Sequence, residues 1–266
     1  MPNKNLFIVC MNNGGSTLIH ECVASCKNAV VIPRSEAKPN SATSAEGHVN
    51  AGGHMPRPFK YAVGAVWTEK KHIFQNVENY NWPKIKEAWN NKWRLSSNWA
   101  EDGRVLVEKS PPNVLRARMM EEEFENSYFI VMVRNPYAIA EGMRRRWGRS
   151  VQRSARHWVE ASREQIRNVE NLKNVIWFRY EKLCSKPEYV KNMIVDFIPE
   201  LYDLSFDVSV TGTHAIDKHN STPIKITNFN SKQIKNLSKR DIRAINTELI
   251  KARDVLKYFG YSRIQG

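Results

Sequence analysis

The chain has 266 residues, 41% of them hydrophobic, so it is long enough to bury the core of one large α/β domain. Its 41 lysines and arginines exceed its 27 acidic residues, and the formal charge of +14 indicates an anionic partner such as nucleic acid, an acidic glycan, a phospholipid surface or a phosphorylated cofactor. The first apolar run is shorter than a signal-peptide core, no stretch approaches the roughly 20 apolar residues of a membrane span, and the 4 cysteines form no CxxC pair, which together predict a cytoplasmic protein with reduced thiols.

The first predicted element is a buried strand over residues 6–11, which leads into a glycine-containing turn and a helix. Gly14 and Gly15 allow backbone N–H groups to approach an anion closely, and Ser16 and Thr17 add hydroxyl donors. The helix that follows directs the positive end of its dipole towards the same point. A loop for ATP or GTP requires a lysine directly before the serine, where this chain has Gly15, so the pattern predicts an anion site of a different kind.

Four further apolar, β-forming runs alternate with helical patterns along the chain. Such an alternation is typical of a parallel sheet covered by helices on both faces, so we predict a single three-layer α/β domain over residues 1–266 with a mainly parallel central sheet. The four further strands are predicted over residues 30–33, 105–107, 128–133 and 175–180. The helices are predicted over residues 16–27, 112–124, 136–147, 150–172, 187–197 and 241–259, the last ending at Gly260.

Two regions lack a regular pattern. Residues 35–58 are polar, rich in glycine, proline and serine, and too long for a routine connection, so we predict a substrate-binding loop or a mobile lid. Residues 207–232 show little periodicity and are a second candidate for a loop that covers a ligand. Surface disorder is the alternative for both regions.

Charged and aromatic side chains follow three of the predicted strands. Arg134 comes directly after the strand over residues 128–133. In open α/β sheets ligands bind at this edge, where a guanidinium can hold phosphate by two parallel hydrogen bonds; an ion pair that closes the strand end is the alternative. Lys109 could orient an acceptor or a phosphate, and an internal ion pair is the alternative. Tyr180 could stack on or hydrogen-bond to a nucleotide, and packing in the core is the alternative. Arg146 lies in the arginine-rich helix after Arg134, near Gly142, where the missing side chain leaves room for a ligand.

Other site types find little support. The histidines have neither the spacing nor the accompanying thiols and carboxylates of a zinc site, so no metal site is predicted. The chain lacks the G-x-S-x-G turn of serine hydrolases and the G-x-G-x-x-G turn of dinucleotide-binding folds. Nucleic-acid binding is disfavoured, because no reader motif accompanies the basic residues.

Four motifs occur in a fixed order: the lysine-free Gly-Ser-Thr loop, EKSPPN after a middle strand, FIVMVRNP and FRYEKLCSKPE. In this order they resemble the sulfotransferases that use 3′-phosphoadenosine 5′-phosphosulfate (PAPS), most closely the branch of tyrosylprotein and bacterial carbohydrate sulfotransferases. The resemblance covers residues 6–197. It implies a fold like that of P-loop NTPases and transfer of a sulfuryl group from PAPS to a hydroxyl or amine of a small-molecule, saccharide or peptide acceptor, giving 3′-phosphoadenosine 5′-phosphate (PAP).

The resemblance also assigns roles to individual residues. It implies that the loop holds the 5′-phosphosulfate, that Arg134 and a second arginine, Arg146, bind the 3′-phosphate, and that Tyr180 contacts the nucleotide. Residues 228–232, which end at Lys232, correspond to the loop that covers the cofactor. The loop residues with this implied role are Asn13, Gly14, Gly15, Ser16 and Thr17.

Two positions depart from the family pattern. The family places lysine or arginine at the position of Asn13, where a cation neutralises charge that develops on the bridging oxygen, and it places serine at the position of Gly142, in the 3′-phosphate site. A neutral donor stabilises a developing anion less than a cation does. Either another cation such as Lys109 compensates, or catalysis is slow or absent.

The resemblance implies that Glu36, just after the second strand, is the catalytic base. Glu46 and His48, in an EGH that is similar to the EGQ of related enzymes, are the second choice, and a surface loop position is the alternative for each. Two other functions stay open: a P-loop kinase, which the missing lysine disfavours, and a catalytically weakened relative that only binds nucleotide or an acidic polymer.

Overall fold

The computed structural model describes residues 2–33, 46–57, 66–207 and 226–265. Within these ranges five parallel strands form one sheet in the order β2-β3-β1-β4-β5, which confirms the five predicted strands. The strands are β1 (Lys4–Cys10), β2 (Ala29–Val31), β3 (Val105–Lys109), β4 (Ser127–Val133) and β5 (Val175–Arg179).

Helices cover both faces of this sheet. The apolar sequence of β1 explains the arrangement, because successive side chains of a strand point to opposite faces. Phe7 and Val9 pack in the larger core, whereas Leu6, Ile8 and Cys10 pack in the smaller one. The helices are α1 (Ser16–Ala24), α2 (Gly47–Asn50), α3 (Lys71–Gln75), α4 (Trp82–Trp93), α5 (Asn113–Glu123), α6 (Pro136–Trp147), α7 (Val151–Asn171), α8 (Tyr180–Ser185), α9 (Pro187–Phe197), α10 (Asn230–Lys235), α11 (Lys239–Leu249) and α12 (Arg253–Tyr258).

The two cores make the domain three-layered. Helices α1, α8 and α9 contribute buried apolar side chains to the smaller core, and α4, α5, α6, α7, α11 and α12 contribute to the larger core. The predicted architecture, a parallel sheet between two helical layers, is therefore confirmed.

The single helix predicted over residues 241–259 is wrong. The helix starts earlier, at Lys239, because the Ser238 hydroxyl accepts a hydrogen bond from the Asp241 N–H (3.1 Å) and the Asp241 carboxylate accepts one from the Ser238 N–H (2.8 Å). A tighter turn over Ile250–Ala252 then separates α11 from α12, and the bend keeps the apolar residues of both helices against the core. The predicted end at Gly260 is confirmed, since its φ of 67° is the left-handed conformation that ends helices.

The two irregular regions are only partly described. Residues 34–45, 58–65 and 208–225 lie outside the described residues, so the loop roles of residues 35–58 and 207–232 stay predictions. Inside these regions the structure shows the short helix α2 and the first turn of α10. Across the described ranges, no helix is both long and apolar enough to cross a membrane.

Candidate active site

The loop between β1 and α1 lies directly against the carboxyl edge of the sheet. Asn13 (φ 61°) and Gly15 (φ 102°) have left-handed backbone. At Gly14 a Cβ atom would lie 2.3 Å from the Cys10 Sγ and 2.9 Å from a backbone carbonyl oxygen, so no larger residue fits without a shift. The N-cap residue of α1 is Gly15, which has no side chain to cap the helix, and the positive partial charge of the helix N-terminus is directed at the loop.

Arg134 lies at the end of β4 and is 8% exposed. Three oxygen atoms accept hydrogen bonds from its guanidinium: Asn230 Oδ1 from Nε (2.8 Å), the Asn13 carbonyl from Nη1 (2.8 Å), and the side-chain carbonyl of Gln233 from Nη2. The Arg134 Cζ lies 4.2 Å from the centroid of the Tyr180 ring, in a cation–π contact. The arginine therefore joins the loop, the start of α8 and helix α10 at one point.

Local sequence fixes this position of Arg134. The Asn135 side chain caps α6 by accepting a hydrogen bond from the Tyr137 N–H (3.0 Å), and Pro136 occupies the first turn. The Trp158 Nε1–H donates to the Arg134 carbonyl at 2.8 Å. The strand therefore ends at Val133, and the side chain of Arg134 follows at the sheet edge.

Helix α10 is held by two carboxylates. Gln233 Nε2 donates to Glu141 (2.9 Å), and Asn230 Nδ2 donates to Glu181, which leaves both amide oxygens for Arg134. Sequence reasoning missed both amides, because neutral side chains in an irregular segment carry no pattern. The predicted Lys232 is exposed on the same helix.

Tyr180 is fixed beneath the loop. Its hydroxyl donates to the Thr227 carbonyl at 2.8 Å, and burial raises its pKa above the ordinary value of a tyrosine. A Cβ atom on Gly15 would lie 2.8 Å from the Tyr180 ring, so glycine is required there for close approach as well as for its positive φ.

The Asn13 side chain lies on the Arg134 side of the loop. A Cβ atom on Gly142 would lie 3.3 Å from Asn13 Cγ and 3.3 Å from Gln233 Nε2. Asn13 Nδ2 is buried and has no hydrogen-bond partner in the part of the chain that the structure describes. Burial, and then the positive charge of neighbouring arginines including Arg134, lower the pKa of Arg146 to about 10. Positive charge and an unsatisfied donor thus meet where an anion would be favoured.

A second cluster lies at the end of β3. Lys109 Nζ and Glu46 Oε1 form a buried ion pair at 2.6 Å. Burial raises the pKa of Glu46, while the charge of Lys109 acts in the opposite direction. His48 is 1% exposed, and its Nδ1 lies 3.4 Å from Glu46 Oε2 without hydrogen-bond geometry.

Glu108 holds α2 against β3. Its buried carboxylate accepts hydrogen bonds from the Gly47 N–H (2.8 Å) and from the side chains of Ser110 and Asn113. The Trp89 Nε1–H donates to the Gly47 carbonyl at 2.9 Å. These contacts place Glu46 and His48 beside Lys109.

The sheet order puts the loop between the two clusters. Strand β1 lies between β3 and β4, and Ile8 of β1 is in register with Lys109. Burial raises the pKa of the Cys10 thiol, beneath the loop, to about 12, while the charges of Arg134 and Lys109 act to lower it. Both cations are therefore within electrostatic range of the base of the loop.

Most of the predicted site residues meet in this arrangement, in two groups. Lys109 and His48 lie together with Glu46 on the β3 side, and Glu36 lies outside the described residues. The predicted residues that line the loop or its Arg134 side are Asn13, Gly14, Gly15, Ser16, Thr17, Arg134, Gly142, Arg146 and Tyr180.

Comparison with known proteins gives a consistent result. A family model described as "Sulfotransferase family" matches residues 5–202. The sulfotransferase domain from the curacin biosynthetic pathway is 18% identical, with 99% of each chain covered and a TM-score of 0.56. The sulfotransferase domain from the olefin synthase of Synechococcus PCC 7002 is also 18% identical, with 92% of this chain and 94% of that chain covered and a TM-score of 0.55. Comparison with curated proteins found no match.

The buried His48 predicts an acid dependence of stability. Burial, and then the charges of Arg116, Lys109 and Arg57, hold the pKa of His48 well below its usual range, so the folded protein leaves this ring neutral while the unfolded chain protonates it. The free energy of unfolding should therefore fall as pH drops below about 6.5, by up to about 1.4 kcal/mol per pH unit from this group. Denaturant titrations at several pH values in this range give the free energy of unfolding as a function of pH. This pH dependence should be weaker for His48→Gln, whereas His72→Gln, at an exposed position, should keep the wild-type pH dependence. An equal pH dependence of the unfolding free energy in wild type and His48→Gln would contradict the prediction.

Proposed function

The chain belongs to the sulfotransferase family, and on this premise we propose that it transfers a sulfuryl group from PAPS to a hydroxyl or amine of an acceptor. The observation that supports this most is the guanidinium of Arg134, bound to the loop carbonyl of Asn13 and stacked on Tyr180. In the proposal, PAPS binds the loop and the Arg134 side, and the acceptor binds on the β3 side.

The residues of the Arg134 side fit a phosphorylated nucleotide. Amide oxygens of Asn230 and Gln233 accept from the guanidinium, and phosphate oxygens offer the same acceptor chemistry with more charge. Asn13 Nδ2 is a buried donor without a hydrogen-bond partner among residues 2–33, 46–57, 66–207 and 226–265, and an anion would satisfy it. Binding of a phosphate at Arg134 therefore requires the two α10 amides to yield their positions.

Transfer between two oxygens needs positioning and electrostatic stabilisation more than covalent chemistry from the protein. PAPS would supply the sulfuryl group and the nucleotide leaving group. In the proposal the loop and the N-terminus of α1 hold the transferred group, and the charges of Arg134 and of Lys109, which is paired with Glu46, act on the base of the loop.

The acceptor's proton needs a base near the loop. Glu36 is the base that the resemblance implies. Glu46 is the alternative on the β3 side, because burial raises the pKa of its carboxyl towards the range that suits a general base. His48 is less suited, because its pKa is held well below the usual range.

A second candidate function is binding of PAPS or PAP without transfer. Two observations favour it: Asn13 carries no charge, and Lys109 is already paired with Glu46. Incubation with radiolabelled PAPS and a panel of sugars, phenols and peptides separates the two, since only the first candidate transfers label to an acceptor.

Arg134→Ala tests the donor site. Loss of a charge-assisted contact to phosphate should weaken PAP binding roughly 10- to 100-fold in calorimetric titrations. The matched control is Arg163→Ala, which removes an arginine paired with Glu160 on α7 and should bind PAP like wild type. Arg134→Lys, which keeps the charge, checks that a loss does not come from misfolding. Wild type that fails to bind PAP, or Arg134→Ala that binds it equally well, would contradict the proposal.

Asn13→Gly tests whether the Asn13 amide contacts the 3′-phosphate on the Arg134 side, where its side chain lies, rather than the 5′-phosphosulfate that the resemblance implies. Glycine accepts the positive φ, and the removed Nδ2 has no partner in the described structure, so the free energy of unfolding should change by less than about 1 kcal/mol. PAP binding should weaken about tenfold, because one hydrogen bond to a charged group is lost. Binding of adenosine 5′-phosphosulfate, which lacks the 3′-phosphate, should change much less. An equal loss for both ligands would place the Asn13 amide at the 5′ group instead.

A further inference from the structure

The strongest unexplained feature outside the donor site is the buried guanidinium of Arg116. This residue of α5 is 1% exposed. Its Nε donates to Asn113 Oδ1 at 2.9 Å, but Nη1 and Nη2 are buried without any hydrogen-bond partner among the described residues. A buried charged donor without a partner costs several kcal/mol on the usual scale, so such groups are ordinarily satisfied by a counter-ion, water or a ligand.

His48 shares this property. Both of its ring nitrogens are buried and lack hydrogen-bond partners within the described ranges. Arg57 Nε is a third buried donor without a partner there. Hydrogen bonds connect Arg116 to the neighbour of His48: Arg116 donates to Asn113, and Glu108 accepts from both Asn113 and the Gly47 N–H. The positive charges of Arg116, Lys109 and Arg57 also act on the His48 ring.

The charges of this cluster do not balance. Two carboxylates are present: Glu108 accepts hydrogen bonds from the neutral groups of Gly47, Ser110 and Asn113, and Glu46 pairs with Lys109. Lys109, Arg116 and Arg57 carry three positive charges against the two negative charges of Glu46 and Glu108, so one positive charge is left over, and among the described residues neither carboxylate hydrogen-bonds to Nη1 or Nη2 of Arg116. An oxyanion would supply both the missing charge and the missing acceptors.

From these contacts we propose that Arg116, His48 and Arg57 form a subsite for an acid group of the acceptor, a carboxylate, sulfate or phosphate. The proposal rests on the proposed function only in assigning the bound acid group to the acceptor. The subsite lies on the β3 side of the loop, where Lys109 is in register with Ile8 of β1, and so is separate from Arg134 on the β4 side. The protein's acceptors are then anionic molecules that carry a hydroxyl or amine as well as the acid group.

Acetate, methyl sulfate and methyl phosphate are suitable probes, because each carries one acid group and little else. Each is titrated into the full chain while the ring resonances of isotopically labelled His48 are followed by NMR. At least one probe should shift these resonances saturably in wild type and equally in Arg134→Ala. The dissociation constants from the three titrations show which acid group the subsite prefers. The dissociation constant should rise at least about tenfold in Arg116→Gln and less in Arg116→Lys, which retains the charge.

The outcomes separate this proposal from the donor site. A lack of any saturable shift in wild type would mean that water alone satisfies the cluster and would overturn the subsite, as would shifts that survive unchanged in Arg116→Gln. PAP titrations of Arg116→Gln should match wild type. If wild type binds the acid probes at His48 but does not bind PAP, the proposed function fails while the subsite stands. Thermal unfolding of each variant confirms that it is folded.

An acceptor pair gives a second readout. With radiolabelled PAPS, 4-hydroxyphenylacetate should be a better acceptor than neutral 4-hydroxyphenylacetamide, through a lower KM. Arg116→Gln should remove this preference by raising KM for the acid about tenfold, with little change for the amide. A preference for the neutral compound in wild type would overturn the assignment of the subsite to the acceptor.

Discussion

The hydrogen bond from Arg134 to the Asn13 carbonyl is the contact on which the proposed donor site depends. It joins the end of β4 to the loop after β1. The loop can make this contact because its backbone is tightly constrained: Gly14 has no room for a side chain, and Gly15 has a positive φ against the Tyr180 ring. A shift of the loop would separate the arginine, the ring and the helix N-terminus from one another.

Because β1 lies between β3 and β4, the loop has cations on both sides, and these cations have different partners. On the β4 side the partners of Arg134 are neutral oxygens, so its positive charge stays available to an anion. On the β3 side Lys109 is paired with Glu46, and Nη1 and Nη2 of Arg116 lack hydrogen-bond partners among the described residues. This division is consistent with a donor and an acceptor that approach the loop from opposite sides, and with anionic groups on both.

The strands and Arg134 could be predicted from the sequence, because buried parallel strands are continuous apolar runs and the residue after each run lies at the sheet edge. The roles of Asn230, Gln233 and Arg116 could not. The amides act through hydrogen bonds made across about a hundred residues of sequence, which no local pattern encodes. Arg116 is indistinguishable in sequence from a solvated helix arginine, and only its burial reveals it.

A crystal structure of the chain with PAP tests the proposed donor site directly. We expect the 3′-phosphate to contact the guanidinium of Arg134 and the Asn13 Nδ2, with the side chains of Asn230 and Gln233 moved from the positions they hold here. A nucleotide bound elsewhere, or a phosphate at the loop with Arg134 still bound to both α10 amides, would contradict it.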